Sequence, residues 1–351
     1  MKILLLSLGS ILILATILPL IHYEAWWIRI FDFPRTQIAV GGILILALLL
    51  IFRYEGSFAE ILILLALIIS IAYQIYSMFP YTPFSAKQVL ESENNDPDRS
   101  FSILVANIYI KNRNPEKFLN TVNEYNPDIV CILEPDQWWE DQLSVLDDKY
   151  THAIKRPSDD TYGLIFYTKL KPHFSEINYI VEDYIPSVQS VLELKSGDLI
   201  EFYCLHPNPP NPKFADDTTE RDAELLIVGK KAKESSKPVI VAGDLNDVAW
   251  SYTTKLFQKI SGLLDPRIGR GFYNTFHAKI PILRFPLDHV FISKSFRLIK
   301  LERMPDIDSD HFPIYAELSY EPGNRTEQEE RDYEADKEDK KEVEEKINQA
   351  K

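Results

Sequence analysis

Three long apolar runs open the chain. Residues 3–21 hold no charged side chain, residues 36–52 hold none, and residues 58–79 hold only Glu60, close to one end. A helix crossing the hydrocarbon layer needs about 20 apolar residues. Each run therefore predicts a transmembrane helix. Tyr23, Trp26 and Trp27 follow the first run, and Tyr73, Tyr76 and Tyr81 cluster near the end of the third. Amphipathic rings suit the membrane–water boundary. The first run is long for a cleaved leader, and no small-x-small site precedes Glu24, which points to an anchor.

Beyond residue 80 the pattern changes. Residues 81–100 read as a polar linker, and residues 321–351, rich in mixed charge, as a disordered tail or a solvated helix. Between them, short β-branched runs predict buried strands at 101–108, 129–134, 161–168, 188–194, 199–206, 238–244, 288–293, 296–302 and 312–319. Helices are expected after Asn114-Pro115 and over about 217–233. Strands alternating with helices, plus adjacent hairpins, indicate an α/β protein with mixed sheets.

Composition narrows the function. Lys and Arg total 38 against 52 Asp and Glu, a net charge of −14. That excludes a basic protein holding nucleic acid by bulk charge. Two cysteines, Cys131 and Cys204, sit inside apolar runs and read as core thiols.

Polar residues end several of these oily strands: Asn107, Glu134, His206, Asp244 with Asn246, and Asp310 with His311, while Asp288 begins one. Any single one is readily explained as a turn residue. Together they form a set with a purpose. Asn107 and Glu134 are hard oxygen donors suited to Mg²⁺. Asp244 and Asn246 follow Gly243 and could face one cleft, the acid for a water and the amide for a phosphoryl oxygen. His206 and His311 titrate nearest neutrality, and Asp288 is the candidate carboxylate partner for an imidazole. One hard metal, two imidazoles and a water are the components of phosphoester hydrolysis.

ANIY (106–109), PDIVCILE (127–134), YCLHPNPP (203–210), VAGDLND (241–247), LDHVFIS (287–293) and SDHFP (309–313) resemble, in order, the motifs of the endonuclease/exonuclease/phosphatase superfamily. The resemblance spans residues 101–320, read as the catalytic domain. It implies a four-layer α/β sandwich with two mixed β-sheets, as in deoxyribonuclease I, preceded by an α-helical transmembrane region. It also implies one or two divalent metals, usually Mg²⁺ with Mn²⁺ as the alternative. Asn107 and Glu134 match the metal-side pair, and Asp310 the acid that often joins them. Asp244, Asn246, the Asp288–His311 pair and His206 match the catalytic set. Pro135 directly after Glu134, and Pro207, Pro209, Pro210 and Pro212 after His206, depart from the pattern.

Arg267, Arg270 and Arg284 precede the Asp288 strand and are candidate contacts to an anionic substrate. His289 should point to the face opposite Asp288. The function expected is membrane-anchored, metal-dependent hydrolysis of a phosphodiester or phosphomonoester, lipid-linked or small. An extracytoplasmic nuclease, with nucleic acid as substrate only, and a silent tethered binding module are the alternatives. No obligate protein partner is evident. Lys2 and Arg53 would share one side, and Arg29, Arg35, Lys87 and Arg99 the other. The expectation is three spans, a cytoplasmic amino terminus and an extracytoplasmic catalytic domain.

Overall fold

The computed structural model describes residues 2–51, 57–93, 96–210, 217–331 and 333–350. Phe52, Arg53 and Pro212 lie outside the described residues. The apolar runs form helices α1 (Lys2–Ile17), α3 (Arg35–Ile51) and α4 (Phe58–Met78), with a short α2 (Trp26–Arg29) between the first two. Ser57 caps α4, its hydroxyl accepting from the Glu60 amide and the Glu60 carboxylate reaching back, which explains the lone acid in that run.

Two stretches, Lys2–Ile21 and Phe58–Tyr81, are long and apolar enough to cross a membrane. The middle run differs from a plain third span. Residues Trp26–Asp32 and Arg35–Ile51 meet at 72°, and count as one more span only if the bent pair is taken together. Asp32 fixes the bend: it is buried, 2.7 Å from the Arg35 guanidinium and 3.4 Å from that of Arg29.

The remainder is a four-layer sandwich, as expected. One sheet runs β10-β11-β1-β2-β4-β3 and the other β5-β6-β7-β8-β9. Their strands are β1 (Ser100–Asn107), β2 (Ile129–Leu133), β3 (His152–Arg156), β4 (Leu164–Thr168), β5 (Lys171–Asn178), β6 (Ser187–Glu193), β7 (Leu199–Leu205), β8 (Val239–Asp244), β9 (Asp288–Ile292), β10 (Phe296–Arg303) and β11 (Ile314–Tyr320). β1 with β2 and β7 with β8 are parallel; the other pairings are antiparallel, so both sheets are mixed. Their inner faces share one core, where Val105 and Cys131 from one sheet meet Cys204 and Ala242 from the other. Both cysteines are buried and free.

Helices α5 (Pro115–Tyr125) and α6 (Gln137–Leu143) cover one outer face, through Phe118, Val122, Trp139 and Leu143. Helices α7 (Thr219–Glu234) and α8 (Tyr252–Ser261) cover the other, through Leu225, Val228 and Phe257. The edge strands β3 and β5 and the helix α8 are absent from the sequence expectation. β5 is mostly exposed, so it carries no apolar run to betray it.

One expectation needs correction and another is narrowed. Residues 81–92 are packed, not a free polar linker. Tyr81 and Val89 are buried, the Gln88 amide donates to Ile268, and Ser92 donates to Leu298. Of the two readings of the tail, disordered or helical, the helical one is found over Lys337–Gln349. That segment forms α9, capped by Asp336, and buries Val343 and Ile347 against Leu226, Leu256 and Ile260. Its few apolar residues fall on one face, which the low overall hydrophobicity hides.

Candidate active site

Strand register gathers the polar strand ends. Asn107 at the end of β1 lies opposite Leu133, which places Glu134 beside it. Leu205 lies opposite Gly243, which sets His206 next to Asp244, and Asp244 in turn pairs with Asp288. β11 runs antiparallel to β1, with Ile314 opposite Val105, so Asp310 and His311 arrive at the same end. Two sheets thus deliver eight polar side chains to one edge of the sandwich.

The contacts are close. The Asn107 amide donates to Glu134 Oε1 at 2.9 Å and to Asp244 Oδ2 at 3.2 Å, joining the two sheets. His311 Nδ1 lies 2.8 Å from Asp288 Oδ2, and its Nε2 lies 3.5 Å from Asp244 Oδ2. His206 Nε2 approaches the same Asp244 oxygen at 3.9 Å. Asn246 takes its backbone N–H to Asp244 Oδ1 at 3.0 Å and its side-chain amide to the Pro207 carbonyl at 2.8 Å.

Local backbone serves this placement. Glu134 and Asn246 both adopt left-handed conformations, φ 64° and 51°. Asn tolerates that region, whereas Glu rarely enters it. Pro135, flagged in the sequence, therefore follows a turn that lifts Glu134 out of the strand. The Glu134 N–H is held by the Gly163 carbonyl at 2.9 Å. A Cβ on Gly163 would sit 1.9 Å from the Pro135 carbonyl oxygen. Gly243, at φ 147°, is equally constrained, with the Leu205 carbonyl oxygen 1.9 Å from where its Cβ would be.

Sequence reasoning missed the residues that hold these groups. The Thr275 hydroxyl accepts the Leu287 and Asp288 amides at 3.2 and 3.1 Å. Ser309 donates to the Asn107 carbonyl at 2.7 Å and accepts the His311 amide at 3.0 Å, pinning one sheet's loop to β1. Ser309 was inside the SDH motif; Thr275 had no signal. The ring of Phe276 lies 5.0 Å from that of His311.

Burial and charge set opposite protonation tendencies for the two imidazoles. Burial draws both down. For His311 the Asp288 and Asp244 carboxylates outweigh it and push the ring up to about 10. His206 has no such pair and stays below its ordinary value. Its Nδ1 is buried without a hydrogen-bond partner among the described residues, as is Asp288 Oδ1. Burial raises Asp244. Glu134 is pushed up to about 7, mainly by burial, with the Asp310 charge adding to it.

That elevation bears on a metal. Glu134 and Asp310 are carboxylates that repel one another in a poorly solvated place, the situation a hard cation relieves. Their oxygens are hard donors of the kind that divalent cations take. A second grouping, Asp244, Asp288 and His311, offers ligand atoms within 4.8 Å of one another. Within this trio Asp288 and His311 are hydrogen-bonded to one another at 2.8 Å.

A cleft of about 530 Å³ opens over these groups, lined by Glu134, His206, Asp244, Asn246, Asp310 and His311. The three arginines proposed for substrate are not among its lining residues. Arg267 is buried against Asp265, at 2.7 Å, and His289. Arg270 donates to the carbonyls of Pro266 and Val89, and Arg284 to that of Ala278 while lying over the Phe312 ring. Their charge serves the packing of the loop. His289 points away from the cleft, as expected, with Nε2 2.8 Å from the Asp247 carbonyl.

A two-sheet sandwich with carboxylates, amides and imidazoles converging at one edge defines the phosphoester-cleaving class of α/β proteins. Residues 104–311 match the family described as Endonuclease/Exonuclease/phosphatase family, and the chain belongs to that family. Among curated proteins no match is found. Solved structures share the fold. TDP2 from D. rerio, complexed with single strand DNA product, is 19% identical with a TM-score of 0.52, covering 63% of this chain and 99% of its own. An endonuclease/exonuclease/phosphatase from Beutenbergia cavernae DSM 12333 is 16% identical with a TM-score of 0.50, covering 64% of this chain and 72% of its own. The human Nocturnin catalytic domain with bound sulfate anion is 15% identical with a TM-score of 0.50, covering 63% of this chain and 94% of its own. At these identities the likeness is one of fold.

Proposed function

We propose that the protein is a membrane-anchored, divalent-metal-dependent phosphoesterase, with transmembrane helices at about 1–80 and a catalytic domain at 101–320. The observation that carries this reading is the convergence of Glu134, His206, Asp244, Asn246, Asp310 and His311 on one cleft, with Asn107 and Asp288 hydrogen-bonded to them. Glu134, Asp310 and Asn107 are the residues that would hold Mg²⁺, or Mn²⁺ in its place, and the ion would offset charge building on the phosphoryl oxygens.

The chain's own groups account for the rest. Asp244 orients the attacking water. The water oxygen bonds to phosphorus, the bond from phosphorus to the leaving oxygen breaks, and the departing oxygen takes up a proton. His206, held neutral, is the ring able to accept the water's proton; His311, held charged by Asp288 and Asp244, is the ring able to give one. Asn246 is placed to donate to a phosphoryl oxygen.

Hydrolysis of bis-(p-nitrophenyl) phosphate by the detergent-purified protein tests the reading. Release of p-nitrophenolate with Mg²⁺ and its loss in EDTA are expected; equal rates in both would overturn the metal assignment. A silent binding module would release none and would bind Mg²⁺ no better than its Glu134→Ala variant. The nuclease alternative draws on the D. rerio neighbour's DNA product. Against it, no Lys or Arg stands among the described residues lining the cleft, although phosphate neutralisation dominates nucleic-acid affinity.

We place the catalytic domain outside the cytoplasm, because three spans would put it opposite Lys2. Protease added to intact cells should then digest it; full protection would reverse the orientation.

A further inference from the structure

We propose that the substrate is a phosphoester bearing a hydrocarbon chain, which enters the cleft sideways from the bilayer; this rests on the phosphoesterase reading above. The catalytic groups line only part of the cleft. The rest is apolar and is lined by Ile30, Phe33 and Pro34, from the bend that leads into α3, together with Phe276, Leu283 and Phe285 of the sandwich. The segment that leads into α3 thus supplies three of the residues lining the cleft.

That wall is fixed in place. The Trp250 indole donates to the Asp32 carbonyl at 2.8 Å, and the Phe33 ring meets Phe285 edge-on at 5.6 Å. Across the mouth, the Gln37 side chain on α3 donates to the Ile282 carbonyl. Phe33, Ala39 and Met78 share a core with Val248, Trp250 and Leu287. Such packing allows no free rotation of anchor against enzyme.

The apolar surface also runs outward. Ile30 is 40% exposed, Leu283 43% and Ile282 70%, beside the first turn of an apolar helix. Contiguous apolar exposure of this kind marks a surface meant for an apolar phase. A single phosphate on an alkyl chain uses both ends of the cleft: the polar end for the ester, the Ile30–Phe33–Leu283 groove for the chain. The absence of Lys and Arg among the described lining residues fits one metal-neutralised phosphate better than a polyanion.

The test compares p-nitrophenyl methyl phosphate with p-nitrophenyl dodecyl phosphate, which share a leaving group, using the full chain in nonionic micelles at a fixed mole fraction. The dodecyl ester should show a higher kcat/KM, and Ile30→Ser or Leu283→Ser should lower the dodecyl-to-methyl ratio by ~10-fold, the equivalent of about two buried methylenes. Both positions are half-exposed, so the variants should fold. Val145→Ser, on the exposed turn after α6, controls for micelle partitioning and should leave the ratio unchanged. A ratio near one in the parent protein, or a ratio indifferent to Ile30→Ser and Leu283→Ser, would overturn the proposal, as would faster cleavage of single-stranded DNA than of the dodecyl ester. Should neither ester turn over, the phosphoesterase reading fails separately. Titration with dodecyl phosphate and methyl phosphate then decides the groove: tighter dodecyl binding, weakened by Ile30→Ser, upholds it, and equal binding refutes it.

Discussion

Trp250 donates its indole N–H to the backbone carbonyl of Asp32 at 2.8 Å, tying the segment after the GDLN motif to the bend between two apolar helices. Trp250 also meets Tyr81 and Phe272 edge-on, at 5.9 and 5.6 Å. Replacing it with Phe keeps most of the packing and leaves a buried carbonyl unpaired. Trp250→Phe should lower stability by about 1–3 kcal/mol, read as a drop in the thermal midpoint in detergent.

Asp288 holds His311 by a 2.8 Å hydrogen bond and supplies much of the charge that keeps the ring protonated. His311→Ala should reduce kcat on bis-(p-nitrophenyl) phosphate by ~10²-fold or more. Asp288→Asn is the more telling variant. It retains a polar partner but loses the charge, so the ring's proton affinity falls. If the charged ring is the donor, activity declines as pH rises through its pKa, and Asp288→Asn should move that declining limb of kcat/KM to lower pH. An unmoved limb would take His311 out of the donor role.

Gly163 matters through what it lacks. A methyl group there would meet the Pro135 carbonyl oxygen at 1.9 Å, and the Gly163 carbonyl is the partner of the Glu134 N–H. Gly163→Ala should displace the left-handed turn at Glu134. The expected signature is weaker activation by Mg²⁺, a raised half-saturating concentration, with the domain still folded by circular dichroism.

Glu224 on α7 is buried and pushed up to about 8, by burial first and the Glu182 charge second. Its folded state therefore keeps a proton that the unfolded chain releases above about 4.5. Stability should be at its fullest below that value, fall as pH rises towards 8, and level off beyond. The steepest loss attributable to this one group is about 1.4 kcal/mol per pH unit. Glu224→Gln should flatten the profile between these limits, measured by denaturation at several pH values.

Much of the sandwich was legible because its central strands are buried on both sides and read as unbroken apolar runs. β1, β2, β7, β8 and β9 fell where the pattern placed them, and their ends carry six of the eight candidate residues, while Asp310 and His311 precede β11. Exposed edges were not legible. β5 alternates nothing, and its pairing with β6 is carried by main-chain bonds the side chains do not announce. The arginines failed for another reason: a charge near a motif says nothing about partners distant in sequence. Arg270 is taken up by the Val89 carbonyl, in a segment read as linker. The apolar part of the cleft was hidden because its residues come from 30–34 and 276–287, and the sequence pattern left the first of these as a connection between two expected spans.

The shared wall at Ile30 and Phe33 means that the amino-terminal helices and the sandwich cannot be divided cleanly. A product truncated ahead of Ser100 would keep every acid and imidazole, yet would bare Val248, Trp250, Phe285 and Leu287 to water and open the cleft on one flank. Such a fragment should clump, and whatever turnover it retained would discriminate poorly between short and long esters.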